Sequence, residues 1–122
     1  MTTPDLQRDV TSWHAHVYYD AETRPQAAVL REAIEAHFDI AMGRWRDRPV
    51  GPHPMWSYQV AFQPELFATL VPWLAQHRDG LIVFIHPNTG NALIDHRDYP
   101  IWLGEHRELN LDNLVDTSGD PA

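Results

Sequence analysis

The chain has 122 residues, 43% of them hydrophobic and five of them tryptophan, which suffices to close one core. Seventeen acidic residues against nine basic ones, all arginine, leave a formal net charge of -8, so the chain as a whole repels phosphate and no nucleic-acid partner is expected. The absence of cysteine excludes disulfides, thiolate metal sites and thiol nucleophiles, and no window reaches the apolar length of a membrane span.

Residues 1–12 are polar and aperiodic and read as a flexible N-terminal arm. They lack the basic start and apolar run of a signal peptide, so a soluble protein located in the cytoplasm is expected. Trp13 to Tyr19 then alternates. In an extended strand, His14, His16 and Tyr18 line one face, while Trp13, Ala15, Val17 and Tyr19 line the other. Asp20 to Pro25 supplies turn and capping chemistry, with Pro25 suited to the first turn of a helix. That helix carries Ala28, Leu30, Ala33, Ile34, His37 and Phe38 at roughly helical spacing.

Ile40 to Trp45 is a second strand interrupted by Gly43, which marks a bulge or an edge. Arg46 to Pro54 holds three prolines and is a stiff loop carrying His53. Met55 to Phe62 is a third strand, with Trp56, Tyr58, Val60 and Phe62 on one face and Ser57, Gln59 and Ala61 on the other. Gln63-Pro64-Glu65 opens a second helix with Leu66, Phe67, Leu70, Val71 and Leu74 as its stripe, and Pro72 predicts a kink or a break. Leu81 to His86 is the most apolar run and reads as a buried strand ending on a histidine. A turn over 87–91 and an irregular stretch containing Asp95-His96 follow, and the acidic residues from 111 to 122 read as a frayed tail.

The order strand, helix, strand, strand, helix, strand predicts an α+β domain over residues 13–110. The fold class is a ferredoxin-like β-α-β-β-α-β sandwich with an antiparallel sheet and both helices on one face. The free face then collects His14, His16 and Tyr18, with Ser57 and Gln59 beside them and Ile82, Phe84 and His86 on the other side. It must be solvated, covered by the proline loop and the tail, or buried against another subunit. His53 can fold over it, and His96 can return to it. Several imidazoles on one surface, in a chain without cysteine, point first to a divalent transition metal. His37 and His77 fall at helix ends, and His106 sits between charged neighbours, so these three are expected outside the site. Asp95-His96 reads as a metal carboxylate with its neighbour, a general-base pair or a turn. No phosphate-cradling glycine motif and no Gly-x-Ser-x-Gly elbow is present.

Taken together, His14-Ala15-His16-Val17-Tyr18-Tyr19, Gly43-Arg44, Pro49 to Trp56, Pro72-Trp73-Leu74, His86-Pro87-Asn88-Thr89-Gly90, Asp95-His96 and Trp102-Leu103-Gly104 resemble the DOPA 4,5-dioxygenase family in consistent order. The resemblance implies a small ferredoxin-like protein, often a homodimer, related to fungal enzymes that open the catechol ring of DOPA beside a hydroxyl. It implies non-haem Fe(II), with another divalent metal such as zinc as the alternative, and a small aromatic substrate cleaved with O₂. On this reading His16, His53 and His86 are the metal ligands. His14 is a fourth ligand or the proton-transfer residue, and His96 is the alternative catalytic residue. Tyr18, Ser57, Gln59 and Trp56 are the expected substrate contacts. The free face offers no carboxylate except Asp95, so the site is either all-histidine or completed by Asp95, or its metal is not iron. A non-enzymatic small-molecule or metal-binding module on the same scaffold is the alternative function.

Overall fold

A computed structural model describes residues 10–117. The expected arm up to residue 9 and the end of the tail from residue 118 lie outside the described residues. The chain is organised around β1 (Ser12–Tyr19), which pairs antiparallel on both sides. The helix α1 (Arg24–His37) follows a turn in which Asp20 and Thr23 exchange hydrogen bonds. Thr23 N–H donates to Asp20 Oδ1 and Asp20 N–H donates to Thr23 Oγ1, both at 2.9 Å. The short β2 (Ala41–Met42) leads through a long loop to β3 (Trp56–Phe62). After a 3₁₀ turn at Pro64–Leu66 come α2 (Phe67–His77), β4 (Ile82–Asn88), α3 (Ala92–Arg97) and β5 (Ile101–Leu103).

All pairings are antiparallel and the sheet order is β2-β3-β1-β4-β5, an α+β architecture consistent with a ferredoxin-like class. Two elements exceed the expected set. Both α3 and β5 arise from the stretch after the Thr89-Gly90 turn, where only a loop was expected. Asn91 caps α3 by accepting the N–H of Ile94 at 3.2 Å, and three residues of β5 extend the sheet beyond β4.

The core lies between the sheet and the first two helices. Ala15, Val17, Tyr19, Tyr58, Val60, Val83 and Ile85 face Ala27, Leu30 and Ile34 of α1 and Leu70 and Leu74 of α2. Burying each of the larger side chains contributes roughly 1.5–3 kcal/mol. This side of the sheet is apolar at nearly every inward position, so a one-residue slip of β1 would place three polar rings against the helices. The parity of β1 is set by that cost. The helix α2 runs unbroken through Pro72, contrary to a break. Pro72 is exposed, and the fully buried Leu70 and Leu74 on either side hold the helix to the sheet.

The expected second strand is cut to two residues. Gly43 N–H donates to the Gln59 carbonyl at 2.7 Å, and a Cβ at Gly43 would stand 3.2 Å from that oxygen. The backbone therefore presses closely onto β3 at glycine and then leaves the ladder, returning where Arg46 and Ser57 bridge. Asp47 latches this edge to the opposite face. Its Oδ1 accepts from the Tyr19 hydroxyl at 2.7 Å and from Arg24 Nε at 3.1 Å.

The face away from α1 and α2 is covered by the chain itself. Tyr18, Ile82 and Phe84 are buried there under Met55 from the proline loop, Trp102 from β5 and Leu109. Asn110 N–H donates to the Pro52 carbonyl at 2.9 Å, Leu93 N–H to Val115 O at 3.3 Å, and Thr117 Oγ1 to Gly90 O at 3.1 Å, so the segment from 110 to 117 is tied to the proline loop and to α3. No helix among the described residues is long and apolar enough to cross a membrane.

Candidate metal centre

Five of the eight histidines converge on the face opposite α1 and α2. The register explains how. His14 lies directly across from His86, and His16 lies across from Phe84, so His16 meets His86 on the diagonal. Their Nε2 atoms stand 3.1 Å apart, and both side chains are buried. With His14 they offer three ring nitrogens within 4.8 Å of one another. Two imidazoles holding one first-row cation at ~2.1 Å each bring their nitrogens to about 3 Å, so the spacing fits a shared ion.

Hydrogen bonding orients the donors. His86 Nδ1–H donates to the Pro87 carbonyl at 2.9 Å, which turns the lone pair of its Nε2 toward His16. His96, on α3, gives its Nδ1–H to the Ala92 carbonyl at 2.7 Å and brings its ring within 4.0 Å of that of His86. It too presents an Nε2 lone pair. His53 reaches the cluster from the proline loop with its ring 4.1 Å from that of His16, and its Nδ1 is hydrogen-bonded to the Tyr18 hydroxyl at 2.8 Å.

The rings are held neutral, the form that binds metal. Burial, and then the neighbouring imidazoles His53 and His86, keep His16 well below the ordinary imidazole value. Burial followed by the charge of His96 lowers His86 to about 3 and His53 to about 4, and the same causes lower His14. Burial also lowers His96 and raises the Tyr18 hydroxyl.

The convergent trio differs from the expected ligand set by one member, with His14 in the trio and His53 beside it on Tyr18. Asp95 is buried, but Thr89 occupies both of its oxygens, N–H to Oδ2 at 2.8 Å and Oγ1–H to Oδ1 at 2.6 Å. It locks the turn that presents His96, so the trio is all-histidine. Among the expected substrate contacts, Tyr18, Ser57 and Gln59 lie on the histidine face, Ser57 paired across from Tyr18 and Gln59 across from His16. Trp56 does not. It packs on the helix side against Tyr19, with ring centroids 6.0 Å apart. His37, His77 and His106 stand outside the cluster, His77 stacked on Trp73 at 4.4 Å and His106 edge-on to Trp102 at 5.0 Å. The wall that sequence reasoning did not assign is Trp102. It stacks on Phe84 with centroids 4.7 Å apart, closing the side of the cluster nearest β5.

Fold and cluster together define a small α+β protein with a candidate all-histidine metal centre on the sheet face turned away from its two main helices. The chain belongs to the Dopa 4,5-dioxygenase family, whose sequence model matches residues 13–113. It is 32% identical over 118 residues to a DOPA 4,5-dioxygenase from Amanita muscaria, covering 89% of this chain and 52% of that protein. It is 34% identical over 112 residues to an uncharacterized 21.2 kDa protein from Botryotinia fuckeliana, covering 82% of this chain and 61% of that one. The chain therefore spans only about half to three-fifths of the length of these relatives. A crystal structure from Nostoc punctiforme, provisionally described as a dioxygenase, superposes with a TM-score of 0.87 at 46% identity, covering 89% of this chain and 95% of that one.

Proposed function

We propose that this protein is a metal-dependent extradiol dioxygenase that opens the ring of DOPA or a related catechol, with Fe(II) as its metal. The observation that carries the reading is the His16–His86 pair, two buried imidazole nitrogens 3.1 Å apart with His14 beside them. Membership of the family, and the name of the Amanita relative, support a catechol as the substrate class.

The residues present fit an iron. His14, His16 and His86 would hold it, and three protein ligands leave room for substrate and O₂. Bound iron supplies the redox chemistry by which O₂ reacts with an aromatic ring that it does not attack unaided. The chain supplies proton handling, positioning and exclusion of water. His96, with its Nδ1–H committed to Ala92, has an Nε2 lone pair able to take a hydroxyl proton from a catechol beside the cluster. Its lowered basicity lets it return that proton readily. Tyr18 holds His53 in one orientation at the adjoining wall. Trp102, stacked on the fully buried Phe84, excludes water from the opposite side.

The test is anaerobic loading with Fe(II), followed by L-DOPA and air. The expected result is oxygen uptake with the appearance of a yellow semialdehyde. No absorbance change and no uptake across a panel of catechols would sink the reading, and binding without turnover would favour a non-enzymatic module.

A further inference from the structure

In a chain with nearly two acids for every base, the cavity that opens onto His16 has no carboxylate among the described residues of its wall. This cavity of about 270 Å³ is bounded by Arg44 and Arg46, by Ser57 and Gln59 of β3, and by His16 and His53. Its volume lies near the lower end for small-molecule sites, room for one ring and a short arm.

The two arginines are exposed, but their backbone is not loose. Arg46 exchanges both of its backbone hydrogen bonds with Ser57, at 2.9 and 3.0 Å, and Gly43 is bonded to Gln59 at 2.7 Å, so the chain on either side of Arg44 is pinned to β3. Neither is neutralised by a carboxylate among the described residues. Asp47, the acid nearest in sequence, is engaged by Tyr19 and Arg24. Arg24, Arg31, Arg97 and Arg107 pair with carboxylates and Arg78 donates to a carbonyl, whereas Arg44 and Arg46 have no carboxylate partner among the described residues. Two guanidinium groups facing an acid-free cavity attract an anion, and the fork of each matches a carboxylate.

We propose that Arg44 and Arg46 form a carboxylate-binding subsite, the pair of residues that selects catechols by the carboxylate at the end of the side chain. The inference rests on the ring-cleavage reading for the catechol and on the cavity for the carboxylate. The edge segment lies two strand spacings from β1, about 10 Å. A catechol with an arm of two or three carbons, measured from ring hydroxyl to carboxylate, spans about that distance with its ring at the histidines and its carboxylate at the arginines. A catechol whose arm carries an ammonium and no carboxylate is selected against by the same charges.

Calorimetry on the purified full chain, as isolated and after anaerobic Fe(II) loading, tests this with two non-cleavable probes. These are 3-(4-hydroxyphenyl)propionate and 4-ethylphenol, which differ by a carboxylate. The carboxylated probe should bind about tenfold more tightly, with an advantage that shrinks in high salt. The double variant Arg44→Gln/Arg46→Gln should lose that advantage. Arg44→Lys/Arg46→Lys should keep part of it, and Arg48→Gln, an exposed neighbour outside the cavity wall, should keep all of it. In turnover, the ratio of kcat/KM for L-DOPA to that for 4-methylcatechol should fall about tenfold in the double glutamine variant. Arginine-dependent preference for the carboxylated probe without cleavage of any catechol upholds the subsite and rejects the dioxygenase reading. Equal binding of the two probes, or equal loss in Arg48→Gln, overturns the subsite whether or not rings are cleaved.

Discussion

His16 Nε2 and His86 Nε2 face each other at 3.1 Å across the β1–β4 pairing, and His86 Nδ1 is already committed to the Pro87 carbonyl. Without a cation, one nitrogen of this pair must carry the proton that the other accepts. With a cation, both lone pairs turn to it. His86→Ala and His16→Ala should each lower metal affinity on the order of 100-fold or more, with a parallel loss of activity. Metal content after dialysis against a weak chelator measures this, and unchanged far-ultraviolet dichroism separates ligand loss from unfolding. Full metal retention in both variants would remove the pair from the site.

The lowered imidazoles make stability depend on pH in a set direction. His86 at about 3 and His53 at about 4 bind fewer protons in the fold than in the unfolded chain, where imidazole sits near 6.5. Between those values the unfolded state takes up the extra protons, so stability rises with pH there and is lost as pH falls. The metal-free protein should keep its full stability above pH 6.5 and lose it progressively toward pH 4. Urea midpoints at several pH values check the slope, which His86→Gln should flatten. A flat profile would mean that the rings are not held neutral by burial.

Tyr18→Phe removes only the hydroxyl that is hydrogen-bonded to His53 Nδ1 at 2.8 Å. The expected cost in stability is about 1 kcal/mol. Activity should drop roughly tenfold through misorientation of His53, with metal content unchanged. Loss of metal in this variant would instead place His53 among the ligands.

Asp95→Asn separates a structural carboxylate from a metal ligand. Thr89 supplies donors to both Asp95 oxygens, and an amide offers only one acceptor to them. Destabilisation of about 1–3 kcal/mol is expected, while binding of a saturating metal survives. Abolished metal binding in a protein that remains folded would make Asp95 a ligand.

Much of the architecture was legible because alternation carries it. Trp13 to Tyr19 divides into an apolar and a polar face, and only one parity buries Ala15 and Val17 under helices. The histidine face follows from that, and so does the place of His86, which enters on the neighbouring strand. Periodicity says little, however, about short elements. The two-residue β2, the six-residue α3 and the three-residue β5 are stabilised by their neighbours rather than by their own pattern, Gly43 by its close approach to Gln59 and α3 by its Asn91 cap. The same limit hid Trp102, whose role depends on a strand too short to announce itself.

The sequence by itself determined which residue types are available and which face of each long strand they share, because side-chain alternation is a local property of an extended backbone. Only the tertiary structure decided which ring nitrogens meet. The diagonal of His16 with His86, the entry of His14 into the trio, the turning of His53 toward Tyr18 and the commitment of Asp95 to Thr89 all depend on strand register and loop closure. These are set by contacts between segments distant in the chain. A one-residue slip in any pairing would leave the sequence pattern intact and dissolve the site.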